Sequence, residues 1–91
     1  MAQLTFFTRS DCPLCEAAWF VVVKVADPLG VPVTKVDISA PGSECWASRY
    51  ACEIPVLHLD GREIFRHHVP ERPLRRLLAD ALRRGGREAS G

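Results

Sequence analysis

Cys12 and Cys15 stand two residues apart, with Pro13 and Leu14 between them. Thiols at that spacing serve two chemistries. In dithiol–disulfide exchange one thiolate attacks a disulfide, and the second thiol, a helical turn deeper, resolves the mixed disulfide so formed. In metal binding the pair is half of a tetrahedral site, completed by a second Cys-x-x-Cys or by spaced histidines. The chain has no second Cys-x-x-Cys: Cys45 and Cys52 are seven apart, and His67 and His68 are adjacent. Redox chemistry is therefore the expectation, and no metal site is expected. Cys12 takes the attacking role and Cys15 the resolving one.

That assignment needs Cys12 at the mouth of a helix, and its neighbours provide one. Residues 4–8, Leu-Thr-Phe-Phe-Thr, are β-rich and run into the polar Arg9-Ser10-Asp11. Pro13 suits a first helical turn, where its missing N–H has no intrahelical partner anyway. Cys15, Ala18, Val22 and Val25 then recur on one helical face, which predicts a helix over 13–26 against the strand propensity of Phe20 to Val23. At such a junction, unsatisfied backbone N–H groups and the positive end of the helix dipole favour thiolate over thiol. Asp11, a carboxylate beside Cys12, works the other way.

The remaining elements follow from local chemistry. Asp27-Pro28-Leu29-Gly30 is turn punctuation, and residues 31–38 read as a second strand. A short helix over 43–51 places Trp46 and Tyr50 at i and i+4 toward the core. Residues 54–59 and 62–66 are two strands joined by Asp60-Gly61, a hairpin signal, with Pro55 tolerated at a strand start. His58, well along its strand, reads as structural. Over 73–84, Leu74, Leu77, Leu78, Ala81 and Leu82 share one helical face and Arg75, Arg76, Asp80 and Arg83 the other. Gly85-Gly86 should end that helix, leaving 85–91 as a flexible tail after a domain of residues 1–84. The order βαβαββα predicts a mixed sheet, its first two strands parallel and the hairpin antiparallel to them. Within a helix over 43–52, Cys45 and Cys52 would lie about 10.5 Å apart along the axis, beyond the roughly 7 Å a disulfide spans. They are expected as unpaired, partly buried small hydrophobes.

Composition sets the limits. The chain has 91 residues, 47% apolar and 25% charged, one globular domain whose size argues against a large substrate cavity. Twelve Lys and Arg against eleven Asp and Glu leave a charge of +1, no overall field to draw it onto nucleic acid or an anionic membrane. Ten of the cations are arginines, six of them between Arg72 and Arg87, the pattern of a solvated helix face. Met1 to Thr5 lacks the features of a signal peptide, and the longest apolar run, residues 17–23, falls far short of the ~20 residues that cross a bilayer. A cytoplasmic protein is expected, in a compartment where paired cysteines point to redox or metal chemistry more often than to structural disulfides. Trp19, Phe20 and Val23 lie largely off the Cys15 face, so the first helix is apolar nearly all round. A monomer is expected, with self-association through that helix as the alternative.

The strand leading into Cys12-Pro13-Leu14-Cys15, the Val36-Asp37-Ile38 strand, Trp46 and Tyr50 in the second helix, and Ile54-Pro55-Val56 before a short hairpin resemble the thioredoxin fold, specifically its compact glutaredoxin-like branch. The similarity spans roughly residues 3–84. It implies an α/β thioredoxin fold with a four-stranded mixed sheet and helices on both faces. It also implies a cis Pro55 beside the cysteine pair, with the backbone before it free to pair with an extended substrate or thiol cofactor. By the same resemblance Arg9 matches the basic residue that holds glutathione, and Pro13, Leu14, Ile54 and Pro55 fall at substrate-contacting positions. The Gly-Gly-Asp-like turn that completes a glutathione site has no counterpart in residues 64–69. No tightly bound cofactor is implied; glutathione is the candidate small thiol.

The expected function is a small thiol–disulfide oxidoreductase. Its partners would be a disulfide-containing protein or small thiol, with glutathione or a reductase as electron donor. The competing readings are a non-catalytic thioredoxin-fold binding module and a metal carrier using the same cysteines.

Overall fold

The computed structural model of the chain describes residues 2–90. Its elements run β1 (Leu4–Thr8), α1 (Pro13–Ala26), β2 (Val33–Asp37), α2 (Glu44–Tyr50), β3 (Val56–Leu59), β4 (Arg62–Arg66) and α3 (Glu71–Ser90). This is the expected βαβαββα order. The four strands form one sheet in the order β2-β1-β3-β4. β1 pairs parallel with β2 and antiparallel with β3, and β3 pairs antiparallel with β4. Only β3 of the hairpin therefore opposes the first two strands, because β4 turns back into the direction of β1.

Alternation along the central strands separates two apolar layers, as side chains of period two must. Leu4, Phe6, Leu57 and Leu59 point toward α1 and α3, where they meet Ala18, Val22, Val25, Leu74 and Leu78. Phe7 and Val56 point to the other side, where Ile38, Tyr50 and Ile54 close a second, smaller cluster that also takes in Cys15. Lys24 on α1 pairs with Glu71 on α3 at 3.2 Å. Trp19 packs on Phe6 with ring centroids 5.3 Å apart, so the fold covers part of the broad apolar surface of α1, while Phe20 stays 69% exposed.

Two expectations about chain ends change. Gly85-Gly86 does not stop α3, whose backbone is helical through Ser90; glycine inside a helix costs only about 1 kcal/mol relative to alanine and does not forbid continuation. Gly91, the last residue of the expected tail, lies outside the described residues. The helix also begins at Glu71, before Pro73, whose missing N–H falls in the first turn, where no intrahelical acceptor awaits it.

The hairpin turn is the one glycine position where backbone sign matters most. Asp60 and Gly61 have φ of 52° and 85°, both positive as a two-residue type I′ turn requires. A Cβ at Gly61 would meet nothing within 4 Å, so Gly61→Ala tests backbone strain alone. It should destabilise the fold by about 1–2 kcal/mol, read as a shift in urea midpoint at unchanged slope. A change below a few tenths would contradict the turn assignment.

Candidate active site

Cys12 is the N-cap of α1: its backbone is extended (φ −120°, ψ 98°), and its side chain accepts from the N–H of Cys15. The N···Sγ distance is 3.2 Å. Cys12 Sγ thus takes the place that a Ser or Asp oxygen usually holds at a helix start, at the positive end of a 14-residue helix. A donor aimed at sulfur and a helix N-terminus are what a developing thiolate needs. Cys12 is half-buried and Cys15 buried, and the structure contains no disulfide between them.

Cys15 lies one turn inside. It is 1% exposed, and burial pushes its thiol above the usual range, as does its hydrogen bond with Cys12; Thr8 and the Arg9 backbone pull in the opposite direction. The two sulfurs therefore occupy different environments, one at the surface under a donor and one enclosed.

Ile54-Pro55 is a cis peptide bond. Both residues are buried, so toward a substrate they can offer backbone rather than side chain. The carbonyl of Pro55 accepts from the N–H of His67 at 2.7 Å. Leu14 is 64% exposed and Arg9 is also exposed.

Two hollows flank the motif. On the Pro55 side, Leu14, Ala17, Val21, His67, His68 and Val69 line about 240 Å³ and include neither cysteine. On the β2 side a larger one, about 460 Å³, reaches both Cys12 and Cys15 and is lined by Arg9, Asp11, Glu16, Trp19, Lys35 and Asp37 among others. That volume lies in the lower part of the range of small-molecule sites, consistent with a chain whose size argues only against a large cavity. Glu16, Trp19, Lys35 and Asp37 are not among the contacts the sequence singles out. No local pattern marks them: the parallel pairing of Thr8 with Asp37 is what brings the C-terminal end of β2 to the Cys12 loop, the usual ligand side of parallel strands.

Other residues find structural employment. His58 is buried, 2.9 Å from the Tyr50 hydroxyl, which in turn donates to Glu63. Burial pushes His58 below its ordinary value of 6.5, against the pull of Glu63. The unfolded chain then binds this proton more readily than the folded one, so His58 removes stability as pH falls through 6.5 toward the folded value. His58→Gln should flatten the fall in urea midpoint over that window; an unchanged slope would remove His58 from the account. Arg66 pairs with Glu63 at 2.6 Å and with Glu53 at 3.4 Å, and His67 also pairs with Glu53. His67 has φ 71°, a left-handed conformation in which glycine sits without strain. Cys45 and Cys52 are both exposed, not partly buried as expected: Cys45 lies on α2, which turns only Tyr50 fully inward, and Cys52 lies in the turn that follows the helix. Among the described residues no three His, Cys, Asp or Glu side chains gather as a metal-ligand group.

Comparisons with known proteins bear on the family and the fold. A family model described as Glutaredoxin-like domain (DUF836) matches residues 3–79. The chain belongs to that glutaredoxin-like family. A glutaredoxin-like protein of Dictyostelium discoideum is 26% identical over 85 residues, covering 89% of this chain and 79% of the relative. Among solved structures, a structural genomics target protein from X. campestris superposes with a TM-score of 0.66 at 28% identity, covering 85% of this chain and 96% of that one. A malaria-parasite thioredoxin-2 gives 0.68 at 20% identity, over 88% and 82% of the two chains, and at that identity it speaks for the fold alone. The glutaredoxin-like chain thus has the thioredoxin fold that its motifs suggested. Among its described residues no helix is long and apolar enough to cross a membrane.

Proposed function

We propose that this glutaredoxin-like protein is a thiol–disulfide oxidoreductase in which Cys12 attacks and Cys15 resolves. The observation that carries the reading is the asymmetry of the two sulfurs: Cys12 Sγ accepts from the Cys15 N–H at the helix mouth, while Cys15 is enclosed behind it. Attack by the Cys12 thiolate breaks the substrate disulfide, releases one thiol and leaves the other half bonded to Cys12. Cys15 then loses its proton and attacks Cys12 Sγ, which expels the second thiol and leaves a Cys12–Cys15 disulfide. Two electrons have passed to the substrate. Arg9, Pro13 and Leu14 border the entering substrate, and the backbone at Ile54-Pro55 supports it. No tightly bound cofactor is required, the electron donor is glutathione or a reductase, and the site of action is the cytoplasm.

The test is a redox titration of the purified protein. A reversible two-electron couple assigned to Cys12 and Cys15 by mass spectrometry is expected. Failure to form that intramolecular disulfide under any thiol–disulfide ratio would end the proposal. Supplying glutathione and thioredoxin reductase separately then identifies the donor.

A further inference from the structure

The hollow on the β2 side of the cysteines is bordered by charges of both signs. Arg9 and Lys35 supply cations; Asp11, Glu16 and Asp37 supply carboxylates. Among the described residues none of these five closes an ion pair, although Lys24 pairs with Glu71, Arg66 with Glu53 and Glu63, and Arg75 with Glu71. Two of the five are held in place. The Lys35 ammonium rests 4.6 Å from the centroid of the Trp19 ring, and the Asp37 carboxylate accepts from the Ser39 N–H at 2.8 Å and from its hydroxyl at 2.6 Å. Charges of opposite sign, two of them held in orientation and none closed into an ion pair, thus border a space of about 460 Å³ that Cys12 and Cys15 also line, with the Lys35 ammonium already drawing on the Asp37 carboxylate.

We infer that this hollow receives an amino-acid zwitterion, so that the substrate is a small disulfide of the cystine type, with an ammonium and a carboxylate close to its sulfurs. The inference rests on the oxidoreductase reading above. An extended polypeptide presents neutral amides next to its half-cystine and brings no charge of its own to the cations and carboxylates that border the hollow. A neutral small disulfide would do the same. A cystine-type molecule sets its carboxylate against Arg9 and Lys35, its ammonium against the acidic side, and its sulfur against Cys12. Charge-assisted hydrogen bonds of that kind are roughly twice as strong as neutral ones.

The exchange then balances as follows. The Cys12 thiolate attacks one cystine sulfur, the S–S bond breaks, and one cysteine leaves as a thiolate that takes a proton from water. Cys15 gives up its proton, attacks Cys12 Sγ and expels the second cysteine. A soluble dithiol, dithiothreitol in the assay, reduces the resulting Cys12–Cys15 disulfide.

Four disulfides separate the contributions: cystine carries both charges, cystamine the ammonium, dithiodipropionate the carboxylate, and hydroxyethyl disulfide neither. Each kcat/KM is divided by the rate with dithiothreitol alone, which cancels differences among the leaving thiols. Cystine should exceed hydroxyethyl disulfide by about a hundredfold, with the singly charged pair between them, each charge contributing about tenfold. The gap should narrow as salt rises, because the site is open to solvent. Lys35→Met should lower the ratio of cystine to cystamine, and Glu16→Gln the ratio of cystine to dithiodipropionate, by several-fold each. Four normalised values within twofold of one another, or an order that both substitutions leave intact, overturn the zwitterion site while the redox reading stands. No turnover of any of the four overturns the redox reading itself.

Discussion

Cys12→Ser should reduce disulfide turnover to the uncatalysed background, whereas Cys15→Ser should carry out one attack and stop with substrate bonded to Cys12. The difference follows from position. A serine hydroxyl at the helix mouth keeps the N-cap hydrogen bond to the N–H of residue 15, so the fold should be retained while the nucleophile is lost. In Cys15→Ser the nucleophile remains, and only the group that would displace the mixed disulfide is gone. Intact-mass spectrometry after exposure to a small disulfide should show one substrate half added to Cys15→Ser and none at residue 12 in Cys12→Ser. Two other thiols are exposed, Cys45 and Cys52, so the experiment is read in a Cys45→Ser, Cys52→Ser background. The second step should also depend on pH. Burial holds the Cys15 thiol above the ordinary value of 9.0, so the thiolate needed for resolution is scarce at neutral pH and increases as pH rises. Release of the second thiol should accelerate up to and beyond that value. A resolution rate that is flat or falls with pH, or a Cys12→Ser protein that still turns over disulfide, would be incompatible with the assigned roles.

The cysteine motif and its place at a helix start were legible because their signals were local. Pro13 and the Cys15, Ala18, Val22, Val25 face mark a helix on which the cysteines fall at the first turn, and the helix spans the expected Pro13–Ala26. Asp60-Gly61 marks the hairpin by chemistry that few other turns share. The hollow on the β2 side was not legible in the same way, because Arg9, Glu16 and Lys35 belong to three separate segments. Only the parallel β1–β2 register brings them together, and that register is a property of the folded sheet. Helix ends were read less well for a related reason. Gly85-Gly86 is a stop signal by propensity, and a propensity of about 1 kcal/mol per glycine is small enough for a helix that buries Leu74, Leu78 and Ala81 to outrun. Exposure of Cys45 follows from the Trp46 and Tyr50 face of α2 turning inward, whereas α2 ends at Tyr50, before the expected end at residue 51, which leaves Cys52 in a turn.

The second large effect is expected at Phe7, a residue that touches no substrate. Its ring lies 4.7 Å from that of Trp46, 5.2 Å from Tyr50 and 4.7 Å from His58, so it links β1 to α2 and β3 at once. Phe7→Ala removes this centre and should cost about 3–5 kcal/mol, a large share of the roughly 5–15 kcal/mol that holds a domain together. Phe7→Leu keeps most of the volume and should cost less, so the pair should give graded urea midpoints. The consequence for chemistry is specific. Phe7 belongs to the cluster that buries Cys15, together with Ile38, Tyr50, Ile54 and Val56, and burial is the main reason the Cys15 thiol is raised. Opening that cluster should therefore expose Cys15 and bring its thiol back toward the ordinary range. In a protein whose other three cysteines are serine, iodoacetamide should alkylate Cys15 faster in Phe7→Leu than with Phe7 intact, under conditions where both remain folded. Phe6→Leu, on the opposite face of β1 against Trp19, should lose stability without that gain in reactivity. Equal alkylation rates in the two variants would mean that the Phe7 cluster does not control the resolving thiol, and that α1 alone sets its environment.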